Sequence, residues 1–103
     1  MTCKVIIEAS AVFDLRGILS YISETLKEPV TAKRVYLSIK ERLSTLGSLP
    51  SRQPLVDDKT FAARGLRKMP AENYTIFYVV DENANEVRVL RVLYNRREWR
   101  ALL

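Results

Sequence analysis

The sequence predicts a two-layer α+β fold, in which a hairpin of two antiparallel helices packs on a small, mainly antiparallel sheet. Two observations lead to this prediction. The first half of the chain carries two apolar stripes at helical spacing, and the second half carries β-branched and aromatic runs separated by turns. The predicted order is β-α-α-β-β-β with a short C-terminal helix. Since the hairpin and one face of the sheet must each bury an apolar surface, we expect residues 1–103 to form one domain.

The first half of the chain predicts one strand and two helices. Residues 3–8 are compact and β-branched, as in a strand. A helix follows with Ser10 as its N-cap, and after a short break a second helix begins with Thr31 as its cap. We expect Gly47 to end this helix in the left-handed conformation. The apolar stripes of the two helices consist of Ala11, Leu15, Ile18, Leu19, Ile22 and Leu26, and of Ala32, Val35, Tyr36, Ile39, Leu43 and Leu46.

The middle of the chain predicts a loop and a strand. Residues 48–60 contain two prolines and two adjacent aspartates, which are typical of a loop. Residues 61–69 are interpreted as a strand, with Gly65 at a bulge. Residues 70–73 then form a turn.

The last third of the chain predicts a β-hairpin and a short helix. The run from Tyr74 to Val80 is rich in β-branched and aromatic residues, and a polar loop separates it from the strand at residues 87–93. That last strand is apolar on both faces apart from two arginines, which indicates a central strand. Asn95 is expected to cap a short helix that carries Trp99, Leu102 and Leu103.

Composition excludes several classes of site. The chain has one cysteine, Cys3, and no histidine, so neither a zinc site nor a thiol protease centre can be built from its usual residues. A Ser/His/Asp triad is excluded for the same reason, and a Gly-rich phosphate loop is absent. We therefore expect no metal and no cofactor. The sequence shows no apolar run of about 20 residues and no secretory signal, so we expect a cytoplasmic protein without membrane contact.

The positive charges indicate a surface for a polyanion or an acidic protein. The net charge is +5, and the basic residues cluster in the strand-rich half of the chain. We take Lys68, Arg88, Arg91 and Arg97 as candidate target-binding residues, and Arg67, Tyr94 and Arg96 as the set best suited to phosphate chemistry. Neighbouring strands could bring these groups to one concave face. A structural ion pair is the alternative for Arg91, and core packing is the expectation for Tyr74 and Tyr78.

The chain resembles the RelE/ParE superfamily of toxins from type II toxin–antitoxin systems, which includes plasmid-stabilisation proteins. The resemblance covers nearly the whole chain. It is carried by residues 65–68, 74–80 and 89–97, together with the helical hairpin that ends in Leu46 and Pro50. It implies a small sheet backed by two helices, and a cognate antitoxin that wraps the toxin. We expect the antitoxin to lie across the two helices and over the basic sheet face.

The superfamily contains two activities. RelE-like members cut mRNA on the ribosome, and this activity would make Arg67, Tyr94 and Arg96 the catalytic residues. ParE-like members inhibit DNA gyrase and are not enzymes. RelE-like toxins commonly carry an arginine where this chain has Thr75, and the histidine of some relatives is absent near Tyr94. The long hairpin and the strand around Phe77 favour the ParE-like activity. A non-toxic basic RNA- or protein-binding module is the third alternative.

Overall fold

The structure, a computed structural model, describes residues 2–48 and 50–103 and confirms the α+β architecture. Two long helices pack on one face of a four-stranded sheet. The elements are β1 (Lys4–Ile7), α1 (Ala9–Ser20), α2 (Pro29–Ser44), α3 (Lys59–Ala63), β2 (Arg67–Ala71), β3 (Tyr74–Asp81) and β4 (Glu86–Tyr94). A π-helical turn at Tyr21–Thr25 extends α1, and short 3-10 turns lie at Thr45–Gly47, Pro50–Arg52 and Arg100–Leu102.

The sheet has the strand order β1-β4-β3-β2. The two hairpin contacts, β2 with β3 and β3 with β4, are antiparallel, whereas β1 runs parallel to β4. The predicted central position of β4 is therefore confirmed. Its pairing with β3 shifts between Phe77 and Tyr78, which face Arg91 and Val89, so Leu90 is the extra residue of a β-bulge.

Helix α1 completes the sheet edge that β1 leaves open. The short strand β1 pairs only with residues 86–89, the first half of β4. Beyond it, the Ser10 hydroxyl donates to the Leu90 carbonyl at 2.7 Å, and the Asp14 carboxylate accepts from the Val92 amide at 3.0 Å. The prediction that Ser10 caps α1 was wrong, because its hydroxyl satisfies a strand carbonyl while the helix begins at Ala9.

The ends of α2 also differ from the prediction. The helix begins at Pro29, whose fixed φ suits a first helical position, and the Thr31 cap was wrong. Gly47 does not adopt the left-handed conformation and lies in a 3-10 turn. A Cβ atom on Gly47 would lie 3.1 Å from the Cys3 carbonyl oxygen. The close approach of the backbone before β1 therefore favours glycine at this position.

The main core lies between the two helices and the sheet. Its fully buried side chains include Ile39 and Leu46 from the hairpin, and Ile76, Tyr78 and Val89 from the sheet. The predicted apolar stripes are confirmed apart from Leu26 and Tyr36, which are 47% and 42% exposed. Leu26 follows the π-helical turn, whose wider spacing rotates the end of the stripe away from the core.

The segment before β2 is helical where a strand was predicted. Asp58 caps α3 by accepting hydrogen bonds from the amides of Thr60 and Phe61 at 3.0 and 3.2 Å. Gly65, with a φ of +83°, lies in the turn that follows this helix and not at a bulge. Strand β2 then includes Pro70, which an edge strand tolerates, so the predicted turn shortens to two residues. Position 49 of the predicted loop lies outside the described residues.

A second apolar cluster covers the other face of the sheet. Phe77 and Leu93 point to this face and are buried under α3 and residues Trp99–Leu103, which we call the C-terminal strap. The Trp99 ring lies 5.2 Å from Phe61 and 5.1 Å from Phe77, measured between centroids. Asn95 does not cap the last turn, because its side chain accepts a hydrogen bond from Thr75 at 2.7 Å. The centre of this face is therefore apolar and covered, and Lys68, Arg88 and Arg91 lie around it, since they pair with Phe77 and Val79 in the register.

Candidate functional site

A groove of about 760 Å³ opens beside the helical hairpin. Its walls are α1 with the π-helical turn, the start of α2, the β2–β3 turn and the end of β4. Ile18, Val35 and Val92 contribute apolar surface, and Tyr94 and Arg97 line the end formed by β4 and the loop after it. The groove has the size and apolar character of a binding site.

Exposed aromatic side chains line the groove. Phe13 is 76% exposed, Tyr21 is 55% exposed and Tyr94 is 48% exposed. Phe13 and Tyr21 are eight residues apart with Gly17 midway, so all three lie on one face of α1. Tyr94 packs edge-on against Tyr74 at 5.9 Å between ring centroids, and burial together with Tyr94 raises the pKa of Tyr74. Apolar exposure concentrated in one concave region indicates a site for a partner.

The two arginines that line the groove differ in whether they are paired. Arg97 lies at the β4 end, next to exposed Arg96 in the loop after β4. No ion pair among residues 2–48 and 50–103 involves either arginine. Glu28 and the ion pair between Arg34 and Glu72 also line the groove, and Glu72 lies in the β2–β3 turn, next to the end of β4. Among the described residues, Arg97 is therefore the groove-lining arginine that lies outside any ion pair.

Arg91 is held by α1. Its Nε and Nη2 atoms donate to the two carboxylate oxygens of Asp14 at 2.7 and 2.8 Å, and Nη1 donates to the Leu102 carbonyl at 3.1 Å. The hydrogen bonds to Asp14 raise the pKa of Arg91. The Asp14 side chain is 6% exposed and that of Arg91 18% exposed, so the pair is largely withdrawn from water. This geometry matches the structural alternative for Arg91.

Three further candidate residues also have partners. Arg67 donates from Nη1 to the carbonyls of Ser51 and Gln53 at 3.3 and 2.6 Å. Arg88 pairs with Glu8 at 2.8 Å and with Glu86 at 3.1 Å, and the hydrogen bond to Glu8 raises its pKa. Lys68 lies 3.7 Å from Asp57. Each of these cations is engaged by a local carboxylate or carbonyl.

Arg67 lies far from Tyr94 and Arg96. In the register of the sheet Arg67 faces Tyr78, whereas Tyr94 faces Tyr74. Four residues separate these positions along β3, which is about 13 Å, and two strand spacings add about 10 Å across the sheet. The sheet therefore brings Tyr94, Arg96 and Arg97 to one end and leaves Arg67 near the other.

The family comparison decides the identity of the chain. A family model described as the ParE toxin of the type II toxin–antitoxin system parDE matches residues 5–99. The chain belongs to this family. It is therefore a toxin of the type II toxin–antitoxin class. No curated protein sequence matches it.

Solved structures from both branches of the superfamily share the fold of this ParE-family toxin. The chromosomal ParDE system of P. aeruginosa has a TM-score of 0.74 at 18% identity, with 90% of this chain and 96% of that chain covered. RelBE2 from Mycobacterium tuberculosis has a TM-score of 0.63 at 18% identity, with coverages of 91% and 92%. Archaeal RelE–RelB from Pyrococcus horikoshii OT3 has a TM-score of 0.58 at 18% identity, with coverages of 95% and 100%. At such identities the likeness concerns the fold alone.

The sequence-based reasoning missed the groove of this ParE-family toxin. Phe13 and Tyr21 lie outside the core stripe of α1, and their spacing around Gly17 was the available signal. Asp14 was not among the candidate residues, although it is the one buried charged residue among those described. Its partners Arg91 and Val92 lie 77 and 78 positions away, so no local pattern pointed to them.

Residues 2–48 and 50–103 contain neither a metal-binding cluster nor a membrane-spanning helix. No cluster of cysteine and acidic side chains there could hold a metal ion. None of the described helices combines the length and apolar character needed to cross a membrane.

Proposed function

We propose that this toxin arrests growth by binding DNA gyrase and that it does so by protein contact, without cutting mRNA. The observation that carries the proposal is the separation of Arg67 from Tyr94 and Arg96. A ribonuclease built on these residues would need all three around one phosphate, within hydrogen-bond reach of the reacting atoms. The spacing of about 13 Å along the sheet, with two strands across it, argues against a phosphate shared by Arg67 and Tyr94.

The partners of the basic residues support the same proposal. Two loop carbonyls hold Nη1 of Arg67, and Asp14 with the Leu102 carbonyl occupies all three guanidinium nitrogens of Arg91, so Arg91 is withdrawn from RNA and Arg67 is restrained. The outer face of the sheet, where a concave basic surface was expected, is covered by the C-terminal strap. The centre of that face is an apolar cluster, and the basic side chains that share the face, Lys68, Arg88 and Arg91, are each paired with a carboxylate.

The remaining exposed groups suit a protein target. Tyr94, Arg96 and Arg97 lie together at the end of β4, and tyrosine and arginine are enriched among residues that dominate protein–protein binding. We assign target binding to this end, with Arg96 and Arg97 as the principal contacts. We also propose that residues 1–103 act as one domain in the cytoplasm.

A cognate antitoxin is the second partner we propose. All three solved relatives come from toxin–antitoxin systems. An amphipathic helix of the antitoxin fits the groove, with its apolar face on Phe13 and Tyr21 and an acidic residue near Arg97. We place the antitoxin here and not over the sheet face, because α3 and the strap cover the centre of that face. Antitoxin in the groove would reach the Arg96–Arg97 loop and block the target.

The test is inhibition of purified gyrase. The toxin is titrated into a supercoiling reaction on relaxed plasmid, with and without its antitoxin. We expect loss of supercoiling by wild type, weaker inhibition by the Arg96→Ala/Arg97→Ala double variant, and unchanged inhibition by Arg16→Ala. Arg16 is the matched control because it is an exposed arginine that does not line the groove.

A translation assay with purified ribosomes tests the alternative. Cleavage of mRNA by wild type, lost in Arg67→Ala, Tyr94→Phe or Arg96→Ala, together with intact gyrase activity, would overturn the proposal. Intact mRNA beside inhibited gyrase is the outcome we expect.

A further inference from the structure

Two arginines hold the C-terminal strap, one linking it to the sheet and the other linking it to α3. The Leu102 carbonyl accepts a hydrogen bond from Arg91 at 3.1 Å. Arg100 pairs with Asp58, the cap of α3, at 3.0 Å. Between these points Trp99 packs against Phe61 and Phe77. Since a 3-10 turn of three residues has little stability of its own, these contacts determine where the strap lies.

The contacts of Arg91 are less exposed to water than the ion pair between Arg100 and Asp58. Arg91 and Asp14 are 18% and 6% exposed, whereas the Arg100 side chain is 48% exposed. All three guanidinium nitrogens of Arg91 are used, Nε and Nη2 on Asp14 and Nη1 on Leu102. The bidentate contact with Asp14 fixes the plane of the guanidinium and so aims Nη1 at the strap. Helix α1 is therefore connected to the strap through one side chain.

The loop that carries the target-binding arginines lies between β4 and the strap. Residues 95–98 are all exposed. At the β4 end, the amide of Asn95 donates to the Asn73 carbonyl at 2.9 Å and the amide of Arg97 to the Tyr94 carbonyl at 3.0 Å. At its other end the loop is held through the strap, where the Arg100 amide donates to the Glu98 carboxylate at 3.0 Å. Releasing the strap would leave this loop attached at one end and increase its conformational freedom.

We propose that the Asp14–Arg91 pair is a latch that fastens the C-terminal strap and thereby positions Arg96 and Arg97 for the target. Asp14 and Arg91 are positioning residues, since neither presents its charge to the target. The latch holds the strap whatever the target is. Its effect on activity rests on the proposed function, in which Arg96 and Arg97 contact gyrase.

The single tryptophan provides a direct readout of the latch. Trp99 is the only tryptophan of the chain and lies in the strap. Its emission maximum and its quenching by acrylamide report whether the strap is docked. In wild type we expect a shielded Trp99, and in latch variants a red-shifted emission with quenching close to that of the urea-unfolded chain. Far-ultraviolet circular dichroism confirms that the helices and sheet remain.

Two latch variants act by different routes. Asp14→Asn/Arg91→Gln keeps side chains of similar shape and removes both charges. Arg91→Lys keeps an ion pair with Asp14 but replaces the planar fork with one ammonium, which cannot hold Asp14 and Leu102 in the same geometry. If the first variant loses its circular dichroism signal, Arg91→Lys decides the question. Arg42→Gln is the matched control, because Arg42 also donates to a backbone carbonyl, that of Pro70 at 3.1 Å, far from the strap.

Gyrase inhibition tests the positioning role. We expect the half-inhibitory concentration to rise in the latch variants and to stay unchanged in Arg42→Gln. A chain truncated after residue 98 should show the same loss, and adding Arg91→Lys to the truncated chain should cause no further loss. Additive losses would mean that Arg91 acts independently of the strap and would overturn the proposal.

The experiments distinguish a failure of the latch from a failure of the proposed function. A Trp99 that stays shielded in folded latch variants shows that the pair is no latch. An exposed Trp99 with unchanged inhibition refutes the positioning of Arg96 and Arg97. A wild-type protein that leaves gyrase active refutes the proposed function, while the fluorescence still decides whether the latch exists.

Discussion

Replacing Tyr78 with phenylalanine tests the structural role assigned to this tyrosine. Tyr78 is fully buried in β3, and its hydroxyl donates to the Pro50 carbonyl at 2.5 Å. Tyr78→Phe keeps the ring and removes the hydrogen bond. A typical net hydrogen bond contributes about 0.5–1.5 kcal/mol, and a buried acceptor left without a donor costs about 1–3 kcal/mol. Because Pro50 is only half-buried and water can reach it, we expect a loss of about 1–2 kcal/mol in the free energy of unfolding.

Urea and thermal unfolding followed by circular dichroism measure this loss. At this chain length each kcal/mol corresponds to a fall of roughly 4–8 °C in Tm. Tyr94→Phe is the control, since Tyr94 is 48% exposed, and a surface change of this kind stays within about 0.5 kcal/mol. An unfolding midpoint of Tyr78→Phe equal to that of wild type would refute the hydrogen bond. Loss of toxicity in a folded Tyr78→Phe variant would refute its purely structural role.

Three further predictions concern pH, backbone and surface. Burial raises the pKa of Tyr78 above its ordinary value of 10.0. The stability that the neutral Tyr78 hydroxyl contributes is therefore complete below pH 10 and is lost as pH rises further. Between pH 9 and pH 11, the unfolding midpoint should fall less in Tyr78→Phe than in wild type. Gly65→Ala should lower the free energy of unfolding by about 1 kcal/mol or more, because φ is +83° there, and Gly65→Asn should lower it less; equal stability of all three chains in urea would contradict this. Phe13→Ser should weaken antitoxin binding, measured by titration calorimetry, without changing Tm. Val30→Ser is the control, because Val30 is 83% exposed and lies outside the groove, and it should change neither the affinity nor Tm. Equal affinities of the two variants for the antitoxin would place the antitoxin elsewhere.

Much of the fold was predictable because its signals are local and periodic. The apolar stripe of α2 and the aromatic run of β3 each identify one element and its buried face. The central position of β4 followed from apolar residues on both of its faces. These patterns depend on burial alone, and burial is what periodicity reports.

The conformation of other segments depends on polar contacts that the amino-acid composition does not reveal. Residues 61–63 carry no clear period, and the capping of α3 by Asp58 determines that they are helical. Ser10 looks like a helix cap in sequence, but its hydroxyl faces the carbonyl of Leu90, 80 residues away. Contacts at such separation depend on how α1 lies against β4, which no local pattern contains.

The candidate site was predictable in its charge and not in its partners. The arginines after β4 were correctly placed beside Tyr94, since adjacent residues stay adjacent in any fold. The sequence could not show that Arg67 and Arg91 are held by a loop carbonyl and by Asp14. Whether an arginine is free or paired depends on acceptors brought by other elements, and that decides which charges face a target.

Pulsed expression in a bacterium, with DNA and protein synthesis followed separately by labelled precursors, tests the central claim most directly. We predict an early collapse of DNA synthesis while translation continues, reversed by coexpressed antitoxin and reduced in Arg96→Ala/Arg97→Ala. An early collapse of translation with continued DNA replication would contradict the account and return Arg67, Tyr94 and Arg96 to the centre of a ribonuclease site.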